Sequence, residues 1–212
     1  VALMLSVTRK IPEGLSEMQA GNWQGWSPLT HLGGRIGGKR LGILGMGRIG
    51  QAIAHRCRAG FGMDVVYYNR SEKAVEGARQ LPNVEDVCAQ ADAVVMAVPG
   101  GAETHHLMNE TMFAAMQPHA IFVNIARGDV VNEAALVAAL QAKQIAGAGL
   151  DVYEFEPKVP AALKAMENVV LLPHMGSATV ESRIEMGEKV IINIKTFDDG
   201  HRPPDQVVPS ML

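Results

Sequence analysis

From Lys39 onward the chain alternates between short apolar runs and stretches whose apolar residues recur every three or four positions. The runs are "RLGILG" (40–45), "DVVYY" (64–68), "DAVVMAV" (92–98), "AIFVNI" (120–125), "AGAGLDV" (146–152) and "NVVLLP" (168–173). Each is apolar on both faces, the pattern of a strand covered on both sides of a sheet. Helical patterns lie between them at 49–59, in "SEKAVEGAR" (71–79), in "NETMFAAM" (109–116) and at 133–143. The last has Asn132 as its N-cap and Glu133 in its first turn, where carboxylates are favoured. The alternation predicts an α/β fold, a doubly wound parallel sheet with helices on both faces.

The ends of the chain follow other patterns. Met4, Val7, Ile11, Leu15 and Met18 form one helical stripe, which Pro12 either breaks or restarts as a second segment. The stretch 21–38, "GNWQGWSPLTHLGGRIGG", is an irregular Gly-rich arm that holds both tryptophans, as loop anchors or as contacts to another subunit. A final amphipathic stretch covers 180–197, and "HRPPDQVVPSML" is a short polar tail.

Composition narrows the field. Of 212 residues, 48% are hydrophobic and 19% charged, enough for a buried core. With a net charge of −3 and no Lys/Arg-rich run, nucleic acid is disfavoured as a partner. Cys57 and Cys88 show no CxxC or Cys/His ligand spacing and read as reduced core thiols of a cytoplasmic protein. None of the histidines has metal-ligand spacing. The opening "VALMLSVTRK" is far shorter than the ~20 apolar residues that span a bilayer, and it lacks a signal peptide's basic region and cleavage site. Without an initiator Met, the residues given are expected to begin partway along a longer protein.

Candidate chemistry begins with "LGILGMGRIGQAIA", which sets Gly45, Gly47 and Gly50 between a strand and a helix. In a Rossmann-type dinucleotide site these glycines serve, in turn, the tight turn, close approach to a pyrophosphate, and helix–strand packing. The amides of Arg48 and Ile49 open the helix and aim free N–H groups at phosphates. About twenty residues on, an NAD-selective site would end its second strand on Asp or Glu. Here Asn69 stands at that place and does not repel a 2′-phosphate, while Arg70 and Ser71 can donate to one. A charge-assisted hydrogen bond contributes ~1.5–3 kcal/mol, so NADP(H) is expected to be preferred, with NAD(H) still usable.

Three later strands end on unusual polar residues: Arg127 in "VNIARGDVVN", Asp151, Glu154 and Glu156 in "GLDVYEFEP", and His174 in "LLPHMGSAT". Ligands of open parallel sheets sit beyond the carboxyl ends of strands, where these side chains can converge.

Together, "GMGRIG", "VNIARGDVVNEAAL", "GLDVYEFEP" and "LPHMGSAT" make the chain resemble the D-isomer-specific 2-hydroxyacid dehydrogenases along its whole length. The "NRS" strand end and the Trp-containing arm look most like the glyoxylate/hydroxypyruvate reductase branch. The resemblance implies a cofactor-binding domain at 34–212, with a C-terminal helix and tail. It makes 1–33 a connecting helix and an arm that packs a homodimer, from which Trp23 or Trp26 can reach the neighbour's active site. It implies that Arg127 binds the carboxylate of a 2-oxo acid and polarises its carbonyl, a task suited to a planar fork. It makes His174 the general acid/base and Glu156 its partner acid; a neighbouring carboxylate keeps a proton available near neutral pH. Asp151 would bond the nicotinamide carboxamide, and Glu154 would be a solvated bystander.

Two departures qualify the match. The family's substrate domain is built mainly from residues preceding the first helix here, so the 212 residues alone are expected to bind nucleotide but turn over poorly. "VPGGAETHH" (98–106) has Gly100-Gly101 where the family more often has a Leu-Thr pair. The leading reading is reduction of glyoxylate or hydroxypyruvate. Alternatives are an NAD-linked dehydrogenase of another acid, such as phosphoglycerate or lactate, and a nucleotide-sensing co-repressor-like protein. A methyltransferase could use the glycine loop but would not need Arg127, Glu156 and His174 together.

Overall fold

Seven strands, one more than the apolar runs predict, form a single parallel sheet in the computed structural model, which describes residues 1–208. In chain order the elements are α1 (Ala2–Thr8), α2 (Ile11–Gln19), β1 (Arg40–Leu44), α3 (Arg48–Phe61), β2 (Asp64–Tyr68), β3 (Ala78–Gln80), α4 (Val84–Gln90) and β4 (Ala93–Met96). They continue with α5 (Glu110–Ala115), β5 (Ile121–Asn124), α6 (Glu133–Gln141), β6 (Gly147–Leu150), α7 (Ala161–Lys164), β7 (Val169–Leu171) and α8 (Val180–Asp198). The sheet order is β3-β2-β1-β4-β5-β6-β7, parallel throughout. The chain therefore runs from β1 to one edge and returns to build the other side from β4. The crevice between the carboxyl ends of β1 and β4 is the place where such sheets bind ligands.

Strand periodicity divides the core into two layers. Leu41, Ile43, Val65, Tyr67, Val95 and Val123 face one side, where they pack with Ile53 and Cys57 of α3 and Leu3 and Met4 of α1. Leu44, Val66, Val94, Met96, Phe122 and Leu150 face the other, under Val87 of α4, Phe113 of α5 and Leu136 of α6. Each large apolar side chain so buried contributes about 1.5–3 kcal/mol, so both faces hold the strand ends in place. The two cysteines are free and buried, and burial pushes the Cys88 thiol up to about 12.

The structure departs from the sequence pattern between β2 and β4. Residues 71–79 are not a helix: Gly77 takes φ of 67°, and Ala78–Gln80 pairs with β2 from Val65↔Ala78 to Tyr67↔Gln80. A segment this short gains little as a helix, whereas β2 would otherwise leave a row of backbone groups unpaired. Helix α4 arises instead at 84–90, where Asn83 Oδ1 accepts from the Asp86 N–H at 2.7 Å. As the sequence pattern allows, Pro12 restarts the N-terminal stripe as a second segment: it lies at the start of α2, after a split at Lys10, which takes φ of 53°. Of the stripe only Met4 is buried, beside Leu3, while Ile11, Leu15 and Met18 are more than half exposed.

The chain divides into two compact units, Val1–His174 and Met175–Leu212. In the second, Thr179 caps α8 by accepting from the Ser182 N–H at 3.1 Å, and Lys189 Nζ and Asn193 Nδ2 both donate to Asp205 at 2.9 Å. The last four residues of the polar tail lie outside the described residues. No helix among the described residues is long and apolar enough to cross a membrane.

Candidate active site

The turn from β1 into α3 is shaped by its glycines. Gly45 has φ of 97°, and a Cβ there would stand 2.7 Å from the Ala97 backbone of the loop after β4. A Cβ on Gly50 would stand 2.2 Å from the Gly45 carbonyl, so α3 packs on the turn only because the side chain is absent. At Gly47 the same test meets nothing within 4 Å, and no side chain caps the first turn of α3, which begins at Arg48. Open space above uncapped N–H groups at a positive helix end is a cradle for phosphate, so the residues present fit a dinucleotide.

The carboxyl end of β2 is tied to that turn. Asn69 Oδ1 accepts from the Met46 N–H at 3.1 Å, and its Nδ2 donates to the Ser71 carbonyl and hydroxyl at 3.0 and 3.1 Å. Asn69 thus braces the phosphate loop as well as ending the strand. The exposed Arg70 guanidinium donates to the Glu103 carboxylate.

Arg127, Glu156 and His174, expected from sequence to carry the chemistry, come from three loops after β5, β6 and β7. Asn124 shapes the first: its Oδ1 accepts from the Ala126 N–H at 3.0 Å and its Nδ2 donates to the Arg127 carbonyl at 2.8 Å. Next, Gly128 abuts the second loop so closely that a Cβ would lie 1.8 Å from the Tyr153 carbonyl. Asp151 is buried at the end of β6. Glu156 Oε1 then accepts from the Tyr153 N–H at 3.1 Å, and its Oε2 pairs with His174 Nδ1 at 3.0 Å. His174 adopts φ of 52°, a conformation uncommon for a residue with a side chain, and strain of this kind collects at functional sites. The hydrogen bond from His174 is the main influence holding the Glu156 carboxyl below its ordinary value, with smaller help from the Tyr153 N–H and the charges of His174 and Arg127.

Arg127 is therefore near enough to act on Glu156 through its charge, but its Nη1 donates to the Ala126 carbonyl at 2.6 Å and it forms no ion pair with Glu156. A cavity of about 380 Å³ beside the pair is lined by Tyr153, Glu156, Pro157, Lys164, Leu172 and His174, among others, but not by Arg127. It lies beside the imidazole–carboxylate pair without joining it to the arginine.

Glu154, expected on a solvated turn, is instead largely enclosed. Its Oε1 pairs with His106 Nε2 at 2.7 Å and its Oε2 accepts from the Glu133 N–H at 3.1 Å, while its own N–H donates to Glu133 at 3.4 Å. Burial is the main cause that raises the Glu133 carboxyl above its ordinary value. His106, assigned no role from sequence, thus ties the loop after β4 to the one carrying Glu156. Tyr153 also escapes a reading of the sequence: its hydroxyl donates to the Leu172 carbonyl at 2.8 Å and joins the ends of β6 and β7. Apolar runs ending in polar residues are the signal that finds strand ends; contacts between those ends leave no such mark.

Fold and geometry define a class: a dinucleotide-binding α/β domain with an imidazole–carboxylate pair and a nearby arginine at the carboxyl edge of its sheet. The chain belongs to the D-isomer specific 2-hydroxyacid dehydrogenase family, whose NAD binding domain matches residues 1–176. It is 43% identical over 212 residues to a glyoxylate reductase of Thermococcus gammatolerans and 44% over 214 residues to one of Pyrococcus furiosus. Each alignment covers 97% of this chain and 63% of the relative, so the chain spans less than two thirds of their length. Among solved structures, a Thermus thermophilus protein superposes with a TM-score of 0.92 at 42% identity, covering 98% of this chain and 66% of that one. A Sinorhizobium meliloti NADPH-dependent glyoxylate/hydroxypyruvate reductase, in complex with NADP and malonate, gives 0.87 at 40% identity, covering 92% and 61%.

Proposed function

We propose that the whole protein reduces a small 2-oxo acid, glyoxylate or hydroxypyruvate, to the 2-hydroxy acid, with NADPH preferred and NADH accepted. The observation that carries this reading is the His174–Glu156 pair, 3.0 Å apart, at the sheet edge that also presents Arg127 and the phosphate turn. The names of similar proteins, glyoxylate reductases and an NADPH-dependent reductase of glyoxylate and hydroxypyruvate, support the substrate class and cofactor.

The residues divide the work by position. Gly45, Gly47, Gly50 and the amides of Arg48 and Ile49 hold the pyrophosphate, Asn69 stiffens the turn, and Arg70 and Ser71 meet the 2′-phosphate. Asp151 orients the carboxamide of the nicotinamide ring. When bound, the reduced dinucleotide supplies a hydride to the substrate's carbonyl carbon. Arg127 binds the substrate carboxylate and orients the carbonyl, for which its planar fork is suited. Glu156, whose carboxyl the hydrogen bond from His174 holds below its ordinary value, fixes the imidazole by its Nδ1. His174 Nε2 is left to give its proton to the carbonyl oxygen, or to take one back in the reverse direction. The arm of 1–33, with Trp23 54% and Trp26 85% exposed, is the surface through which the protein forms a homodimer.

Steady-state kinetics of the whole protein test this with glyoxylate, hydroxypyruvate, phosphoglycerate and lactate, each paired with both cofactors. The expected result is the highest kcat/KM for glyoxylate or hydroxypyruvate with NADPH. Better turnover of another acid, or NADH kinetics equal to NADPH and unaltered by Arg70→Ala, would overturn it.

A further inference from the structure

We infer that Glu103 is a specificity-determining residue: its carboxylate occupies the Arg70 guanidinium that a nucleotide's 2′-phosphate must take, and so limits the preference for NADP(H). The inference rests on the reading that Arg70 meets the 2′-phosphate. Glu103 is 33 residues from Arg70 in sequence, on the loop that follows β4, and the two side chains form an ion pair. The pair stands beside the nucleotide end of the cleft, because Asn69, next to Arg70, holds the Met46 N–H of the phosphate turn at 3.1 Å.

The loop presents Glu103 from an ordered turn. Gly101 takes φ of 133°, a conformation that side-chain-bearing residues rarely adopt. Thr104 closes the turn, its N–H donating to the Gly101 carbonyl at 3.1 Å and its hydroxyl to the Pro99 carbonyl at 2.7 Å. Gly100 and Gly101 form the start of that turn.

Both partners are more than 70% exposed, so the pair is water-screened and exchangeable. A carboxylate presents one negative charge to the guanidinium, whereas a phosphate monoester presents nearly two and suits its fork. The phosphate therefore displaces Glu103, but binds against a competitor tethered in the protein. A nucleotide without the 2′-phosphate leaves the ion pair intact. Glu103 thus weakens one cofactor and spares the other.

The test is calorimetric titration of the purified whole protein with 2′,5′-ADP and with 5′-AMP at low ionic strength. The variants are Glu103→Gln, Arg70→Ala and the double substitution, each checked for native circular dichroism. Glu103→Gln is expected to raise 2′,5′-ADP affinity about two- to fivefold, the range for releasing an exposed ion pair. Affinity for 5′-AMP should change less than half as much, and the gain should vanish when Arg70 is Ala. An equal gain for both ligands, or one that persists in the Arg70→Ala background, overturns the inference. So does no gain from Glu103→Gln while Arg70→Ala alone weakens 2′,5′-ADP. If Arg70→Ala leaves 2′,5′-ADP binding unchanged, the assignment of Arg70 fails first, and the role of Glu103 with it.

Discussion

Each end of the sheet carries an imidazole paired with a carboxylate. At the carboxyl ends of the strands His174 Nδ1 stands 3.0 Å from Glu156, and at the amino ends His119 Nε2 stands 2.6 Å from Asp92. By distance alone the second is the better candidate for acid–base chemistry. Its surroundings say otherwise. Asp92 also accepts from the Arg40 N–H at 2.7 Å and lies near Lys39, so the group clamps the starts of β1, β4 and β5 together. Glu156 stands on a loop, beside a histidine in a strained conformation and within the field of Arg127. An imidazole–carboxylate pair becomes a candidate acid–base device when the fold places it at the edge where ligands bind and within the field of an arginine; His119–Asp92 at the other end, and His106–Glu154 tying two loops of the same edge, are braces.

The sharpest way to break this comparison is to remove each histidine in turn. His174→Ala is expected to lower turnover about 10²- to 10⁴-fold, the usual contribution of a positioned acid–base group, with nucleotide affinity within about twofold of the unaltered protein. His119→Ala should leave turnover nearly unchanged. Comparable losses from both, read as kcat and as nucleotide Kd, would erase the distinction.

Gly128→Ala probes how the carboxyl edge is assembled. The added methyl would need the space of the Tyr153 carbonyl, so the loop carrying Glu156 must move. Expected are a stability loss of about 1–3 kcal/mol by denaturant titration and a turnover loss of about tenfold or more. Binding of 5′-AMP should be preserved, because the phosphate turn does not touch Gly128.

How far sequence reaches differs between the two ends for the same reason. The phosphate turn is local: three glycines within six residues dictate it, and their spacing suffices. Arg127, Glu156 and His174 are legible one by one as polar residues closing apolar strands, and together through the family's motifs. The brace at the other end is not, since His119 and Asp92 are 27 residues apart and meet only because β4 and β5 are neighbours. His106 and Glu154, 48 residues apart, are hidden likewise. Strand β3 escapes notice because a three-residue edge strand after a left-handed glycine carries too few residues to show a period.

The amino-end brace should reveal itself through pH. Burial alone would raise the Asp92 carboxyl, but the Arg40 N–H, the hydrogen bond from His119 and the charges of Lys39 and His119 together hold it below its ordinary value. A carboxyl lowered in the folded state adds stability that is complete above its unfolded value of about 4 and is lost as pH falls through the folded one. Asp92→Ala should cost about 1–3 kcal/mol at about pH 7 without altering turnover, and should flatten the loss of stability below about pH 4. A steeper acid loss in the variant would show that the carboxylate is not favoured by the fold.

The smallest effect expected is at a junction of the carboxyl edge. Tyr153 joins the ends of β6 and β7 through its hydroxyl, and burial, followed by the charge of Asp151, pushes that hydroxyl up to about 12. It therefore stays un-ionised and keeps the proton that it donates to the Leu172 carbonyl. Tyr153→Phe keeps the ring and leaves the Leu172 carbonyl without this bond, which should cost about 0.5–1.5 kcal/mol, or a few degrees in Tm. Because Leu172 stands two residues before His174, the same change should loosen the imidazole and lower kcat a few-fold with KM little altered. A Tm loss with no change in kcat would mean that the hydroxyl braces the sheet in the manner of Asp92, and the line between the two ends would have to be drawn beyond Tyr153.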